Sequence, residues 1–158
     1  MHEMEQVESA LTDEERADYG AHSYVRRGTK ALVSTPERVL LVKEQHANGF
    51  PFWTLPGGGV DPDESLVECL TRELFEELWC RALIGEPVAT IWYAHSSSQR
   101  TLSAYTVFEC SLVSTPRPNG DEGIHEYKWM SPSNLPSSTL PQVRQLIRNH
   151  DLGGAPSL

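Results

Sequence analysis

Arg72, Glu73, Glu76 and Glu77 are the residues of this sequence whose types and spacing best suit them for chemistry. The carboxylates stand at relative positions i, i+3 and i+4, so in a helix they are neighbours and repel one another. Glu76 and Glu77 also lie near the predicted C-terminal end of that helix, where the macrodipole disfavours negative charge. Arg72 offsets only part of this repulsion. The cluster therefore predicts a site for a divalent metal ion and, with it, a phosphate-bearing substrate.

The helix that carries this cluster has a recognisable start and an apolar side. Ser65 and Glu68 have the spacing of a capping box, which predicts a first helical residue near Leu66. A glycine-rich turn at 57–59 precedes it. The apolar residues at helical spacing are predicted to face the core: Val67, Leu70, Leu74, Phe75 and Leu78. The charged cluster is predicted on the opposite side of the helix.

The rest of the chain has the pattern of strands and one further helix. A hairpin is predicted from extended segments at 23–27 and 29–34, a turn at 35–37, and a buried strand at 38–43. Further elements are predicted as strands at 87–94, 101–112 and 126–130, and as a last helix at 141–150. This order predicts one α/β domain over residues 20–150, between an N-terminal extension at 1–19 and a tail at 151–158.

Length, charge and cysteine content limit the classes of protein to consider. The chain has 158 residues, of which 39% are hydrophobic, enough for a domain with its own core. A formal net charge of -9 argues against bulk nucleic acid and anionic membranes as partners. Cys69, Cys80 and Cys110 show no zinc or disulfide spacing, and the acidic N-terminus is unlike a secretory signal. We therefore expect a cytoplasmic protein.

Gly58, Glu64 and the run Arg72-Glu73-Leu74-Phe75-Glu76-Glu77 stand at fixed intervals. This pattern resembles the Nudix box of the MutT-like nucleoside diphosphate-X hydrolases, written G-x5-E-x7-R-E-U-x-E-E-x-G-U with U apolar. Trp79 is the main departure, because the family has glycine there, which suits a left-handed helix end. Either the helix continues past Leu78, or Trp79 is strained, or the end is built differently.

The resemblance implies both a fold and an activity. Nudix domains are α/β/α sandwiches around a mixed central β-sheet, with the box as a loop–helix–loop unit. Nudix enzymes hydrolyse a nucleoside diphosphate linked to another moiety, usually with Mg²⁺ or Mn²⁺. We therefore expect a Mg²⁺-dependent pyrophosphohydrolase that cleaves a nucleotide or nucleoside-diphosphate derivative by water attack on phosphorus. The alternative is a non-catalytic Nudix-like nucleotide-binding or sensor module, but such modules commonly lose box carboxylates, which this chain keeps.

Matched positions imply the metal ligands. Glu73, Glu76 and Glu77 are the expected metal-binding carboxylates, and the carbonyl of Gly57 is the expected backbone ligand. Glu73 and Glu77 are also the expected catalytic carboxylates. The residues expected to support them match the remaining box positions: Gly58, Glu64 and Arg72.

Family members often draw another carboxylate from beyond the box, as a ligand or as the base for water. Glu126 is the preferred candidate, because a glutamate ahead of a tryptophan-bearing strand is frequent in the family. Asp121 and Glu122, in the loop before it, compete with it. Substrate contacts are expected from basic residues that bind phosphates and aromatic residues that stack on a base: Arg27, Lys43, Trp53 and Tyr93. Many family members dimerise, so a homodimer is an open alternative.

Overall fold

The computed structural model describes residues 25–46, 49–94 and 102–150. The predicted extension at 1–19 and tail at 151–158 lie outside these ranges. The elements are, in order, β1 (Val25–Val33), β2 (Val39–Glu44), β3 (Phe52–Thr54), β4 (Gly57–Gly59), α1 (Leu66–Leu78), β5 (Ala82–Ala94), β6 (Leu102–Leu112), a 3₁₀ turn (Gly120–Glu122), β7 (Ile124–Met130) and α2 (Pro141–Asn149). No helix within the described ranges is long and apolar enough to cross a membrane.

The strands form a mixed arrangement in two sheets. One sheet has the order β4-β1-β6-β5 and the other has the order β3-β2-β7. β1 and β6 run parallel, whereas every other pair is antiparallel. The predicted strands at 87–94, 101–112 and 126–130 are confirmed, although β5 begins earlier, at Ala82.

Both faces of the strands are covered, and each face has its own core. Successive residues of a strand point to opposite sides, so Ala31 and Val33 of β1 pack with α1, whereas Leu32 packs with α2. The residues of β2 alternate in the same way. The strands therefore lie between the two helices, and the expected α/β/α sandwich is confirmed.

The predicted hairpin of the first two strands is wrong. β1 and β2 belong to different sheets, and the only bridge between them in the described ranges joins Ser34 to Val39. The Thr35 hydroxyl accepts hydrogen bonds from the backbone N–H groups of Glu37 and Arg38, which fixes the turn. This turn takes the chain from one sheet to the other, and residues of both strands contribute to both cores.

The start of α1 is confirmed, and its predicted core-facing side is confirmed in part. Ser65 and Glu68 form the capping box at Leu66. Phe75, predicted to face the core, is half exposed, and so is Val67. The buried face of α1 instead includes Glu77 beside the apolar residues Cys69, Leu70, Leu74 and Leu78. Leu70, Leu74 and Leu78 thus face the core as predicted, while the buried side includes the carboxylate of Glu77 and leaves out Phe75.

Trp79 ends α1 in a conformation that favours glycine. The helix stops at Leu78, and Trp79 takes left-handed angles (φ 53°, ψ 32°), with its N–H donating to the Phe75 carbonyl at 2.8 Å. A side chain in this region costs about 1 kcal/mol. The indole packs edge-on against the Phe75 ring at 5.6 Å between centroids, and the Arg117 guanidinium lies 6.0 Å from its centroid. Of the three alternatives for this position, the strained helix end is the one observed.

Replacing Trp79 by glycine and by alanine separates backbone strain from packing. Both variants lose the ring contacts, but only alanine keeps a Cβ in the left-handed conformation, so Trp79→Gly should be more stable than Trp79→Ala by about 1 kcal/mol. Thermal unfolding should show the glycine variant melting about 3 °C higher. An alanine variant as stable as the glycine variant would contradict the left-handed helix end.

Candidate active site

A cavity of about 50 Å³ lies where α1 passes over β4 and the end of β2. Glu73 and Glu77 reach it from α1, Glu44 reaches it from β2, and Glu122 reaches it from the 3₁₀ turn. Lys30 and Tyr105 line the side opposite the helix. The cavity thus gathers four carboxylates around one lysine, an arrangement that attracts cations.

The residues at 57–59 form a strand, β4, where the sequence predicted a glycine-rich turn. β4 pairs antiparallel with β1, with Gly58 opposite Thr29. A Cβ on Gly57 would lie 2.0 Å from the Thr29 carbonyl oxygen, and a Cβ on Gly58 would lie 2.4 Å from Oε2 of Glu73. Gly57 also has a φ of 143°, which side chains rarely adopt. Glycine is therefore required because the backbone passes directly against a carboxylate.

Glu77 and Glu73 are held in an environment that opposes their charge. Glu77 is only 6% exposed, and its Oε1 accepts a hydrogen bond from the Gly57 N–H at 3.1 Å. Burial raises the pKa of Glu77 well above its ordinary value, the charge of Glu44 raises it further, and Lys30 acts in the opposite direction. Burial also raises the pKa of Glu73. A bound cation would relieve this conflict.

Arg72 ties the box together through contacts to several oxygens. Its Nε and Nη2 bind the two carboxylate oxygens of Glu64 at 2.7 and 3.0 Å. Its Nη1 binds Glu73 at 3.1 Å and Glu76 at 3.0 Å, and its Nη2 also donates to the Gly59 carbonyl at 3.0 Å. This pairing lowers the pKa of Glu64 to about 2. Arg72 therefore fixes the orientation of the carboxylates, as predicted from its position in the box.

The structure separates the predicted carboxylates into two groups. Glu73 and Glu77 converge on the cavity, whereas Glu76 lies at the surface, with 40% of its side chain exposed, and is not among the lining residues. Glu76 is still attached to the cluster through Arg72. Within the described residues no three acidic, histidine or cysteine side chains already surround one metal position.

Glu126, the preferred candidate beyond the box, does not reach the cavity. Tyr127 and Trp129 pack on the α1 side of β7, so by strand alternation Glu126 points to the other face. There it stands opposite Lys43, with 3.8 Å between Lys43 Nζ and Glu126 Oε1. Glu122, one of the competing candidates, lines the cavity instead.

The residues predicted to contact the substrate also lie away from the cavity. Tyr93 is fully buried and Trp53 nearly so, and both belong to the core on the α2 side. Contrary to the prediction, neither ring is available for stacking on a base. Lys43 lies on the face opposite the carboxylates, and Arg27 is exposed on β1. Arg26 is closer to the box, because a Cβ on Gly59 would lie 3.5 Å from its Nη2.

Two charged residues that line the cavity, Glu44 and Lys30, were not predicted from the sequence. Glu44 continues the inward face of β2 after the apolar Leu40 and Val42, and an irregularity in the β2–β7 register falls beside it. Such irregularities re-aim side chains near functional sites. His46 Nε2 lies 2.7 Å from Glu44 Oε2. Lys30 is likewise a charged residue within a buried strand, β1. A charged residue that interrupts an apolar strand is the signal from which both Glu44 and Lys30 could have been predicted.

The donor set fits a hard divalent cation. Carboxylate oxygens are the ligands that Mg²⁺ prefers, and this ion is usually bound through one or two carboxylates while it keeps several waters. Glu73 and Glu77 supply such a pair, and removal from water raises the pKa of both carboxyl groups. The missing Cβ of Gly58 leaves the space that the Glu73 carboxylate fills. The residues present therefore suit Mg²⁺ or Mn²⁺.

Comparison with known proteins agrees with this geometry. A sequence profile of the NUDIX domain matches residues 25–149. The chain belongs to the Nudix hydrolase family. The nucleoside triphosphatase NudI of Escherichia coli is 34% identical over an alignment of 115 residues, and the match covers 66% of this chain and 80% of that protein.

Solved structures show the same Nudix fold. The MutT NUDIX hydrolase from Burkholderia pseudomallei superposes with a TM-score of 0.70 at 23% identity, covering 80% of this chain and 98% of that one. The Escherichia coli ORF135 protein superposes with a TM-score of 0.66 at 25% identity, covering 82% of this chain and 89% of that one. The matching profile and relatives identify this Nudix chain as an enzyme, a hydrolase.

The Glu64–Arg72 pair predicts a pH-dependent contribution to the stability of this Nudix domain. Because pairing lowers the pKa of Glu64 from 4.5 to about 2, the contribution is fully present above about pH 4.5 and is lost as the pH falls towards 2. Glu64→Gln should therefore melt below the wild type at pH 6, and the difference should shrink between pH 4.5 and the acid limit of folding.

Thermal unfolding of both proteins between pH 3 and pH 7 measures this difference. Glu37→Gln, at an exposed position in the turn between β1 and β2, is the matched control and should melt like the wild type throughout. A gap between Glu64→Gln and the wild type that stays constant or widens in acid would contradict the pairing.

Proposed function

We propose that this Nudix hydrolase is a Mg²⁺- or Mn²⁺-dependent pyrophosphohydrolase that cleaves a nucleoside triphosphate, or a related nucleoside-diphosphate derivative, by water attack on phosphorus. The observation that carries the proposal is the pair formed by the buried Glu77 and the mostly buried Glu73, whose side chain is 13% exposed, packed against the backbone of a glycine strand. The resemblance to a protein named nucleoside triphosphatase NudI supports a triphosphate as the substrate.

Each charged residue of the box then has a physical task. Glu73 and Glu77 hold the divalent ion, with Gly57 beside them and Glu76 at the rim. When bound, the ion neutralises phosphate oxygens and lowers the pKa of water. Arg72 keeps Glu73 and Glu76 in place, and Glu64 in turn fixes the guanidinium by its bidentate contact.

Water activation is assigned to Glu122 in place of Glu126. Glu122 lines the cavity that contains Glu73 and Glu77, whereas Glu126 lies on the opposite face of β7 and pairs with Lys43. A general base must reach the attacking water directly or through one further water. Glu122 lines the cavity from the 3₁₀ turn, in which the Asn119 side chain accepts a hydrogen bond from the Asp121 N–H and the Asn119 carbonyl accepts one from the Glu122 N–H.

Glu77→Gln should remove hydrolysis without harming the fold. The amide keeps the shape of the side chain but not its charge, so kcat should fall by about 10²–10³-fold. The melting temperature without metal should stay the same or rise, because a buried like charge has been removed. Product release from a panel of nucleoside triphosphates and nucleoside-diphosphate derivatives, with Mg²⁺ or Mn²⁺, measures the change.

Glu126→Gln is the matched control, since it changes the same residue type outside the cavity and should retain activity within about twofold of wild type. Glu122→Gln should lose activity, as expected of a base. Full activity of Glu77→Gln would refute the metal assignment. A folded wild-type protein that binds a nucleotide but hydrolyses none of the panel would favour the sensor alternative.

A further inference from the structure

Lys30 is a buried lysine that the proposed chemistry has not yet used. It lies in β1 opposite Gly57 of β4 and is only 3% exposed. Its Nζ donates to the Leu55 carbonyl oxygen at 3.1 Å and lies 5.0 Å from the centroid of the Tyr105 ring. Both partners are neutral. These contacts alone do not offset the cost of burying an ammonium group, which is large unless the charge is paired.

The opposite charges that Lys30 needs are the carboxylates of the cavity. Lys30 lines that cavity from below, facing Glu73 and Glu77 on α1, and it attracts both of them. Arg72 reaches Glu73 from the other side, through Nη1 at 3.1 Å. Glu77, by contrast, receives a hydrogen bond from the Gly57 N–H. Within the cavity lining, Lys30 is therefore the cation that faces the pair.

The position of this ammonium is fixed by the backbone around it. A Cβ on Gly57 would lie 2.8 Å from the Lys30 Cα, so β4 can lie this close to β1 only as glycine. The turn from β3 to β4 places the Leu55 carbonyl where it holds Nζ. Because the Leu55 carbonyl holds Nζ in place, the ammonium group stays at the cavity and attracts the carboxylates towards it.

We propose that Lys30 is a positioning residue of the hydrolytic site, a built-in cation that shares Glu73 and Glu77 with the divalent ion and so limits how tightly the free enzyme holds that ion. This role rests on the proposed function, because it concerns the same carboxylates. Two cations near one carboxylate pair repel each other, so the ammonium weakens metal binding. The phosphates of a nucleotide add negative charge and restore the affinity, which favours joint binding of metal and substrate.

Lys30→Met tests the role, with Lys43→Met as the matched control. Lys43 is also a strand lysine near a glutamate, but it lies on the face away from the cavity. Calorimetric titration with Mn²⁺ at pH 8 should show about tenfold tighter binding by Lys30→Met, and binding within twofold of wild type by Lys43→Met. Mn²⁺ should also raise the melting temperature of Lys30→Met more than that of wild type. A merely structural lysine would not tighten metal binding, so a folded Lys30→Met variant with unchanged or weaker Mn²⁺ affinity overturns the proposal.

The wild-type protein provides a second test that does not depend on the variant folding. The chain has only three lysines, Lys30, Lys43 and Lys128, so NMR of lysine labelled with ¹³C at Cε gives a spectrum that can be assigned. Saturating Mg²⁺ should shift the Lys30 signal and leave the other two in place. A Lys30 signal that does not move overturns the proposal.

Hydrolysis by the wild type is measured first, so that failure of the proposed hydrolase function can be told apart from failure of the proposed role of Lys30. If the wild type hydrolyses a nucleotide with Mg²⁺ but Lys30 shows neither effect, only the role of Lys30 is lost. If the wild type neither hydrolyses nor binds Mg²⁺, both proposals are lost.

Discussion

The burial of Glu73 and Glu77 beneath α1 is the constraint on which the rest of the structure depends. Carboxylates removed from water are costly unless they are paired, and two of them side by side cost more. The neighbouring elements all reduce that cost. β4 approaches with glycines and donates an N–H to Glu77, Arg72 binds Glu73, and Lys30 lies below both. The glycines of β4, Arg72 and the orientation of α1 thus all serve to accommodate these two carboxylates.

This compensation is incomplete, and the divalent ion that we propose would complete it. The pKa values of Glu73 and Glu77 remain raised even with Lys30 and Arg72 in place. A fold selected for stability alone would put apolar residues at these positions of α1. The structure instead keeps carboxylates at these positions, and their electrostatic cost would fall on binding the ion proposed above.

The sequence was sufficient for most of the strands and for the start of α1 at Leu66, because these depend on local signals. Predictions from the sequence failed where tertiary packing overrides these local signals. The apolar pattern turned Phe75 inward, since such patterns assume that charges face solvent, and a functional site breaks that rule. Stacking and packing aromatics look alike in sequence, so Trp53 and Tyr93 were misassigned. Glu122 and Glu126 also look alike in sequence, because the choice between them depends on which carboxylate lies on the side of β7 that faces the cavity.

The central claim is that Glu73 and Glu77 hold the divalent ion against the glycine strand. The most direct measurement is a crystal structure of the protein with Mn²⁺, with anomalous scattering recorded at the manganese absorption edge. We expect an anomalous peak at the cavity, from a manganese ion bound by carboxylate oxygens of Glu73 and Glu77. A peak held by other residues, or no peak there at a Mn²⁺ concentration that supports hydrolysis, would contradict it.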